Sequence, residues 1–270
     1  MKRIVAIAAA SGAVLALASL ASATTPSVNG AVVTTRVFND CPSSTVIVTN
    51  TYPSNITISD ADVNCFGYAN LHVWHFSGDG GVTEAQFNNA DIFHFCADLR
   101  ETGGGNGEAG LQISPWWSHN ADGSFNVRST DGEIACFGGR LPFYSFSDPA
   151  HGGVRYVKGT TIHLDVSYLP NGLSAASPAT IDYKITYLSA TYDSGPLGFD
   201  MGNPAEDPPH GLWGCLNDAR AGGYSKPFLT QGIEPSDFTS SFGNICYDNG
   251  GVAVRATTWG AVKALYNSSK

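Results

Sequence analysis

The stretch Asp91–Phe146, DIFHFCADLRETGGGNGEAGLQISPWWSHNADGSFNVRSTDGEIACFGGRLPFYSF, decides the fold. In Asp91–Arg100, Phe93, Phe95, Ala97 and Leu99 fall on one side while His94, Cys96, Asp98 and Arg100 fall on the other, the period of two of a half-buried strand. Glu108–Ser114 repeats it, with Ala109, Leu111 and Ile113 against Glu108, Gly110, Gln112 and Ser114. Ser124–Arg128, Glu133–Phe137 and the apolar run Leu141–Phe146 follow. Between these runs stand GGGNG, HNADG and STDG, whose Gly, Asn and Asp tolerate the positive φ of tight turns. Strand, turn and strand at short intervals predict consecutive strands of one antiparallel meander.

Upstream, Met1–Ala23 has a basic start (Lys2, Arg3), an apolar run from Ile4 to Leu20 and a small-residue site Ala21-Ser22-Ala23, the layout of a secretory signal peptide cleaved after Ala23. The rival reading is an N-terminal membrane anchor, because the apolar run nearly reaches spanning length. Cleavage would leave about 247 residues, a length at which a sandwich or barrel is commonly one domain. The formal charge, −9 for the whole chain, would become −11 on loss of Lys2 and Arg3. That argues against nucleic acid or an anionic membrane as partner, since both call for a basic patch. The reading is of a secreted, extracellular or periplasmic protein with no membrane span after cleavage.

All six cysteines, Cys41, Cys65, Cys96, Cys136, Cys215 and Cys246, lie beyond the cleavage site, and an even count in an exported chain argues for disulfides. About 15 pairings are open. The preferred set joins cysteines of successive strands: Cys41 with Cys65, Cys96 with Cys136, and Cys215 with Cys246. No CxxC, HExxH, GxSxG or GxxxxGK[ST] occurs, which removes the usual zinc-ribbon, metalloprotease, α/β-hydrolase and P-loop signatures.

Further strands are predicted at Val32–Phe38, Ser44–Asn50, Asn55–Ser59, Leu71–Phe76, Gly153–Lys158, Thr160–Tyr168, Thr180–Leu188, within Leu212–Tyr224, and within Ile245–Val254. Asp60, Asp62 and Asn64 alternate like the opening of a calcium loop, but an EF-hand would need Gly and Glu where Cys65 and Leu71 stand. A non-EF calcium site and a plain Asp/Asn turn both remain open, and no other cofactor is indicated. His72 and His75 lie on opposite faces of their strand, the wrong arrangement for joint metal ligands. Gly195–His210 is too rich in Pro and Gly for regular structure and reads as a surface excursion from a domain spanning 24–256. In the tail 257–270, Trp259, Val262, Leu265 and Tyr266 fall at the spacing of a short amphipathic helix.

From Leu71 to Tyr187, the EAGLQISPWW strand, the DGSFNV and DGEIACFGG hairpin, the LPFYSF run, and the KGTTIHLDVSY and TIDYKITY strands, with NDARAGGY later, resemble a concanavalin A-like (lectin/glucanase) jelly roll. The chain as a whole resembles secreted bacterial proteins that carry such a domain. The resemblance implies an all-β fold of two packed, curved antiparallel sheets whose concave face or loop rim holds carbohydrate.

Glucanases of that superfamily carry paired acids in an ExDxxE pattern, which is absent here. The glutamates stand singly, and the best catalytic pair to be built is Glu108 with Asp98, on strands joined by the GGGNG turn; two solvated surface acids explain them equally. Sugar recognition calls for an aromatic platform with planar polar groups beside it, and Trp116 and Trp117 with Gln112, His119 and Asn120 form such a set. Burial in the core is the competing reading for either tryptophan. The sequence therefore points first to a carbohydrate-binding or cell-surface-associated protein. A glycoside hydrolase or polysaccharide lyase, and a structural or adhesion protein of the envelope, are the alternatives.

Overall fold

The structure, a computed structural model, describes residues 25–114, 123–199, 213–215, 217–229 and 236–249. In chain order its strands are β1 (Gly30–Thr34), β2 (Thr45–Thr51), β3 (Asn55–Val63), β4 (Gly67–Tyr68), β5 (His72–Ser77), β6 (Phe93–Thr102), β7 (Asn106–Ser114) and β8 (Ser124–Arg128). There follow β9 (Ile134–Phe137), β10 (Tyr144–Ser145), β11 (Thr161–Leu169), β12 (Thr180–Tyr187), β13 (Ala190–Asp193), β14 (Leu197–Gly198), β15 (Arg220–Leu229) and β16 (Ser236–Asp248). They form two antiparallel sheets. The first runs β1-β5-β15-β7-β8-β9-β10 with β4 on the end of β15, and the second runs β13-β12-β11-β6-β16-β3-β2 with β14 against β12.

The chain passes back and forth between the sheets, which is the jelly-roll sandwich that the resemblance implied. Apolar residues of both inner faces meet in one core: Trp74 lies edge-on to Phe242 at 5.5 Å, Phe76 to Phe95 at 5.6 Å, and Phe125 meets Tyr183 at 5.5 Å. The strands with clean alternation, β3, β11 and β12, keep one face toward water. In β5, β7 and most of β15 both faces are buried.

The meander expectation requires correction at its first turn. Gly103–Gly105 does not close a hairpin; β6 belongs to the second sheet and β7 to the first, so this turn carries the chain across the sandwich. Glycine is needed there because Gly103 has φ 100° and a Cβ on it would overlap the Asp237 carbonyl. From β7 to β10 the meander is as expected.

Other boundaries shift. Leu141–Phe146 is strand only at Tyr144–Ser145, and Gly153–Lys158 is not strand. The strand expected within Leu212–Tyr224 lies at Arg220–Leu229, and the last one starts at Ser236 instead of near Ile245. The excursion expected from Gly195 begins with the short strand β14, and its residues from 200 onward, like the leader and the tail 257–270, lie outside the described residues.

Cys41 and Cys65 are bridged as expected. The other two expected bridges are not formed. Cys96 joins Cys246, its direct partner across the β6–β16 pair with Cα atoms 5.0 Å apart, whereas Cys136 and Cys215 are free and buried. Cys136 points into the core from the first sheet, while Cys96 faces outward from the second, so no bond can join them without moving a sheet.

Candidate functional site

The outer face of the first sheet carries polar side chains in rows set by strand register. Gly222 of β15 lies between His75 of β5 and Gln112 of β7, and Gln112 in turn faces Ser124 of β8. Because Gly222 has no side chain, His75 and Gln112 meet across it, with Nε2 to Nε2 at 3.4 Å. A Cβ at Gly222 would overlap the Trp74 carbonyl oxygen. One row along, Gly110 lies between Tyr224 and Asn126, and the Tyr224 hydroxyl donates across it to Asn126 Oδ1 at 2.8 Å. A third row aligns Lys226, Glu108 and Arg128.

The first row is oriented from behind. His75 Nδ1 lies 2.8 Å from Glu84 Oε1, so Nδ1 carries the proton donated to the carboxylate and Nε2 presents its lone pair toward Gln112. Arg220 Nε stands 3.3 Å from the other Glu84 oxygen, close enough for an ion pair but misaligned as a hydrogen bond, and its Nη1 donates to Asp218 Oδ1 at 2.6 Å. In the third row Lys226 Nζ is 2.6 Å from Glu108 Oε1, Tyr68 donates to Glu108 Oε2 at 3.0 Å, and the ammonium lies over the Tyr68 and Tyr224 rings. Burial, with the Glu108 charge second, pushes the Tyr68 hydroxyl up to about 12. The same two causes raise Tyr224 well above the ordinary tyrosine value, so it holds its proton.

These groups are enclosed: His75, Gln112, Tyr224 and Asn126 are 1%, 2%, 1% and 0% exposed. Val37 and Phe38, from the segment after β1, pack with Leu71, Val73 and Tyr224 at one end of the face. One buried group there lacks a partner. Asn126 Nδ2 donates to nothing among the described residues, at a cost of about 1–3 kcal/mol for a buried orphan donor.

Of the residues singled out from the sequence, Gln112 lies in this constellation and Glu108 in its third row. Asp98 does not join Glu108. It lies on the outer face of the opposite sheet, 2.7 Å from His163 Nδ1 and accepting from Asn244, because β6 and β7 belong to different sheets. Asp60, Asp62 and Asn64 diverge: Asp60 is buried against Asn70 and His72, the Asp62 amide donates to Asp237, and Asn64 accepts from Ser43 at the surface. No group of three His, Cys, Asp or Glu side chains suited to a metal occurs among the described residues. Trp116, Trp117, His119 and Asn120 lie outside the described residues. His75, Glu84, Asn126, Arg220 and Tyr224 were missed. The available signal was the run LHVWHF: an unbroken mix of apolar and polar residues without alternation marks a strand covered on both faces.

No protein-family model and no curated protein sequence matches the chain. Among solved structures, it is similar to an alginate lyase from Klebsiella pneumoniae at 9% identity, over 76% of this chain and 85% of that one, with a TM-score of 0.43. A functionally unknown protein from Saccharomyces cerevisiae gives 9% identity, 76% and 96% coverage and 0.42. An alginate lyase from Corynebacterium sp. gives 10%, 74% and 78%, and 0.39. At these values the similarity is one of layout and assigns no residue a role.

Proposed function

We propose that the polar face of the first sheet binds a uronate-containing polysaccharide and cleaves it by β-elimination. The observation that carries this is Asn126 Nδ2, buried without an acceptor among the described residues beside the Tyr224 hydroxyl, on the face where the His75 Nε2 lone pair is turned toward the Gln112 amide. Elimination needs three things. A base removes the C5 proton next to the sugar carboxylate, and His75, its tautomer set by Glu84, suits that part. Donors must meet the charge that builds on the carboxylate as the proton leaves, and Asn126 Nδ2 with the Gln112 amide would supply them. An acid must protonate the glycosidic oxygen as its bond to C4 breaks, and Tyr224 keeps its proton for that step. The C5 electron pair becomes the C4–C5 double bond of the new end.

Hydrolysis fits less well. The face offers Glu84 and Glu108, but the first contacts His75, in register with Gly222, and the second contacts Lys226, four residues further along β15, about 14 Å away. Each acid is turned to its own cation, and the carboxyl separations that serve hydrolysis are about 5 Å or 6.5–9.5 Å. A second reading, binding of a neutral glycan without turnover, is favoured by one observation: the three cations described on this face, Arg220, Lys226 and Arg128, are each already paired with acids. Because the central groups are enclosed, ligand entry in either case is coupled to a local opening of the face.

The test is incubation of the oxidised protein with acidic and neutral polysaccharides, following the ultraviolet absorbance of the unsaturated product and retention of protein in parallel. Elimination predicts absorbance with uronate chains only, lost by at least a hundredfold in His75→Ala and Tyr224→Phe. Retention without absorbance would leave the binding reading; hydrolytic ends without a double bond would refute elimination.

A further inference from the structure

We infer that Phe137, with Phe143 beside it, is the stacking platform for a sugar ring of the same polysaccharide, away from the reacting bond. This rests on the reading that the polar face binds a polysaccharide, but not on turnover. The row that begins at His75 and passes through Gln112 and Ser124 ends on Phe137 of β9, each in register with the next. Alternation on β9 sends Cys136 into the core, so Phe137 emerges on the polar face. It is 39% exposed, where His75 and Gln112 are almost fully enclosed. Gly138 and Gly139 follow it and bring no side chain to shade the ring.

Phe143 is 70% exposed. It precedes Tyr144, whose strand partner is Cys136, so continuing that antiparallel register places 143 opposite 137. That register brings two exposed phenylalanines to the place where the polar row runs out toward the sheet edge. Isolated exposed apolar residues are ordinary, but a pair that ends a row of buried polar groups is a continuation of that site. The apolar face of a pyranose ring suits an aromatic surface, and amide, hydroxyl and imidazole groups inward of it suit the hydroxyls and carboxylate of the adjoining sugars. Gln112 and Phe137 are two strands apart, about 10 Å, a span covered by a short run of sugar units laid across the strands.

The experiment measures retention on acidic and neutral polysaccharides together with product release, for the unaltered protein, His75→Ala, Phe137→Ala, Phe143→Ala and Phe137→Trp. Phe137→Ala should weaken binding about tenfold with an unchanged melting temperature, and Phe137→Trp should restore it. If Phe137→Ala and Phe143→Ala bind like the unaltered protein while that protein binds or cleaves, the platform is refuted and the proposed function stands. If the unaltered protein binds without product and Phe137→Ala loses binding, the platform stands and elimination falls. If the unaltered protein neither binds nor cleaves any chain of the panel, both are overturned.

Discussion

Replacing Glu101 by Gln should make the protein more stable as the pH rises. Glu101 follows Phe93, Phe95, Ala97 and Leu99 on the inward face of β6 and is 0% exposed. Neither carboxyl oxygen makes an aligned hydrogen bond among the described residues; Ser129 and the Ala109 amide lie near enough to favour the anion a little, but Ser129 is engaged with Gly107 and Lys158 with Gly105 and Asn106. Burial dominates and holds the carboxyl well above its ordinary range, so it is neutral in the fold. The unfolded chain releases that proton near pH 4.3, so above about that pH the folded state binds more protons than the unfolded state and stability falls. The loss is about 1.4 kcal/mol per pH unit while the folded group keeps its proton, about 2 kcal/mol by pH 6 and a few tenths at pH 4. Glutamine does not titrate. Its amide brings a fixed offset, so the quantity to read is the change with pH in the stability difference between Glu101→Gln and the unaltered protein. Denaturant unfolding at pH 4 and pH 6 should show that difference moving by about 2 kcal/mol in favour of the variant. A difference that stays flat, or moves the other way, would falsify the neutral-carboxyl assignment and require a charged partner for Glu101.

Two further outcomes follow from the packing. Non-reducing peptide mapping should recover Cys41–Cys65 and Cys96–Cys246, with Cys136 and Cys215 alkylated only after denaturation, and Cys96→Ser with Cys246→Ser should cost about 3–5 kcal/mol in thermal or denaturant unfolding. Gly222→Ala should lower stability by about 1–3 kcal/mol, because the added methyl meets the Trp74 carbonyl, and should remove any activity of the His75 row; a variant as stable as the original would refute that close approach.

The fold was legible wherever one side of a strand meets water. β11 and β12 alternate without a break, and their expected limits agree with the structure to within one residue at either end. What alternation cannot report is which sheet a strand joins, since Phe95 and Leu111 are equally apolar from either side of the core; the crossing at Gly103–Gly105 therefore read as a hairpin, and the Glu108–Asp98 pair and the Cys96–Cys136 bridge fell with it. Cys41–Cys65 was legible because it is local, spanning 24 residues, whereas Cys96–Cys246 spans 150. Gln112 was legible as a polar position on a patterned strand. Tyr224 and Arg220 were not, because β15 is buried on both sides and RAGGYSKPFL has no period to follow. His75 and Glu84 were obscured for another reason: they meet through a loop contact, which strand periodicity does not encode.

The strand order has a consequence for how the chain is made. β15 separates β5 from β7 in the first sheet, and β16 separates β6 from β3 in the second, so each sheet is held together through its middle by a strand from the last quarter of the sequence. Until Arg220–Asp248 has emerged from the ribosome, the earlier strands form only disconnected halves with unpaired edges. Folding must then wait until β15 and β16 are both available, and closing such distant pairings is slow. A nascent chain stopped before Arg220 should remain protease-sensitive throughout, however well its first two hundred residues are patterned.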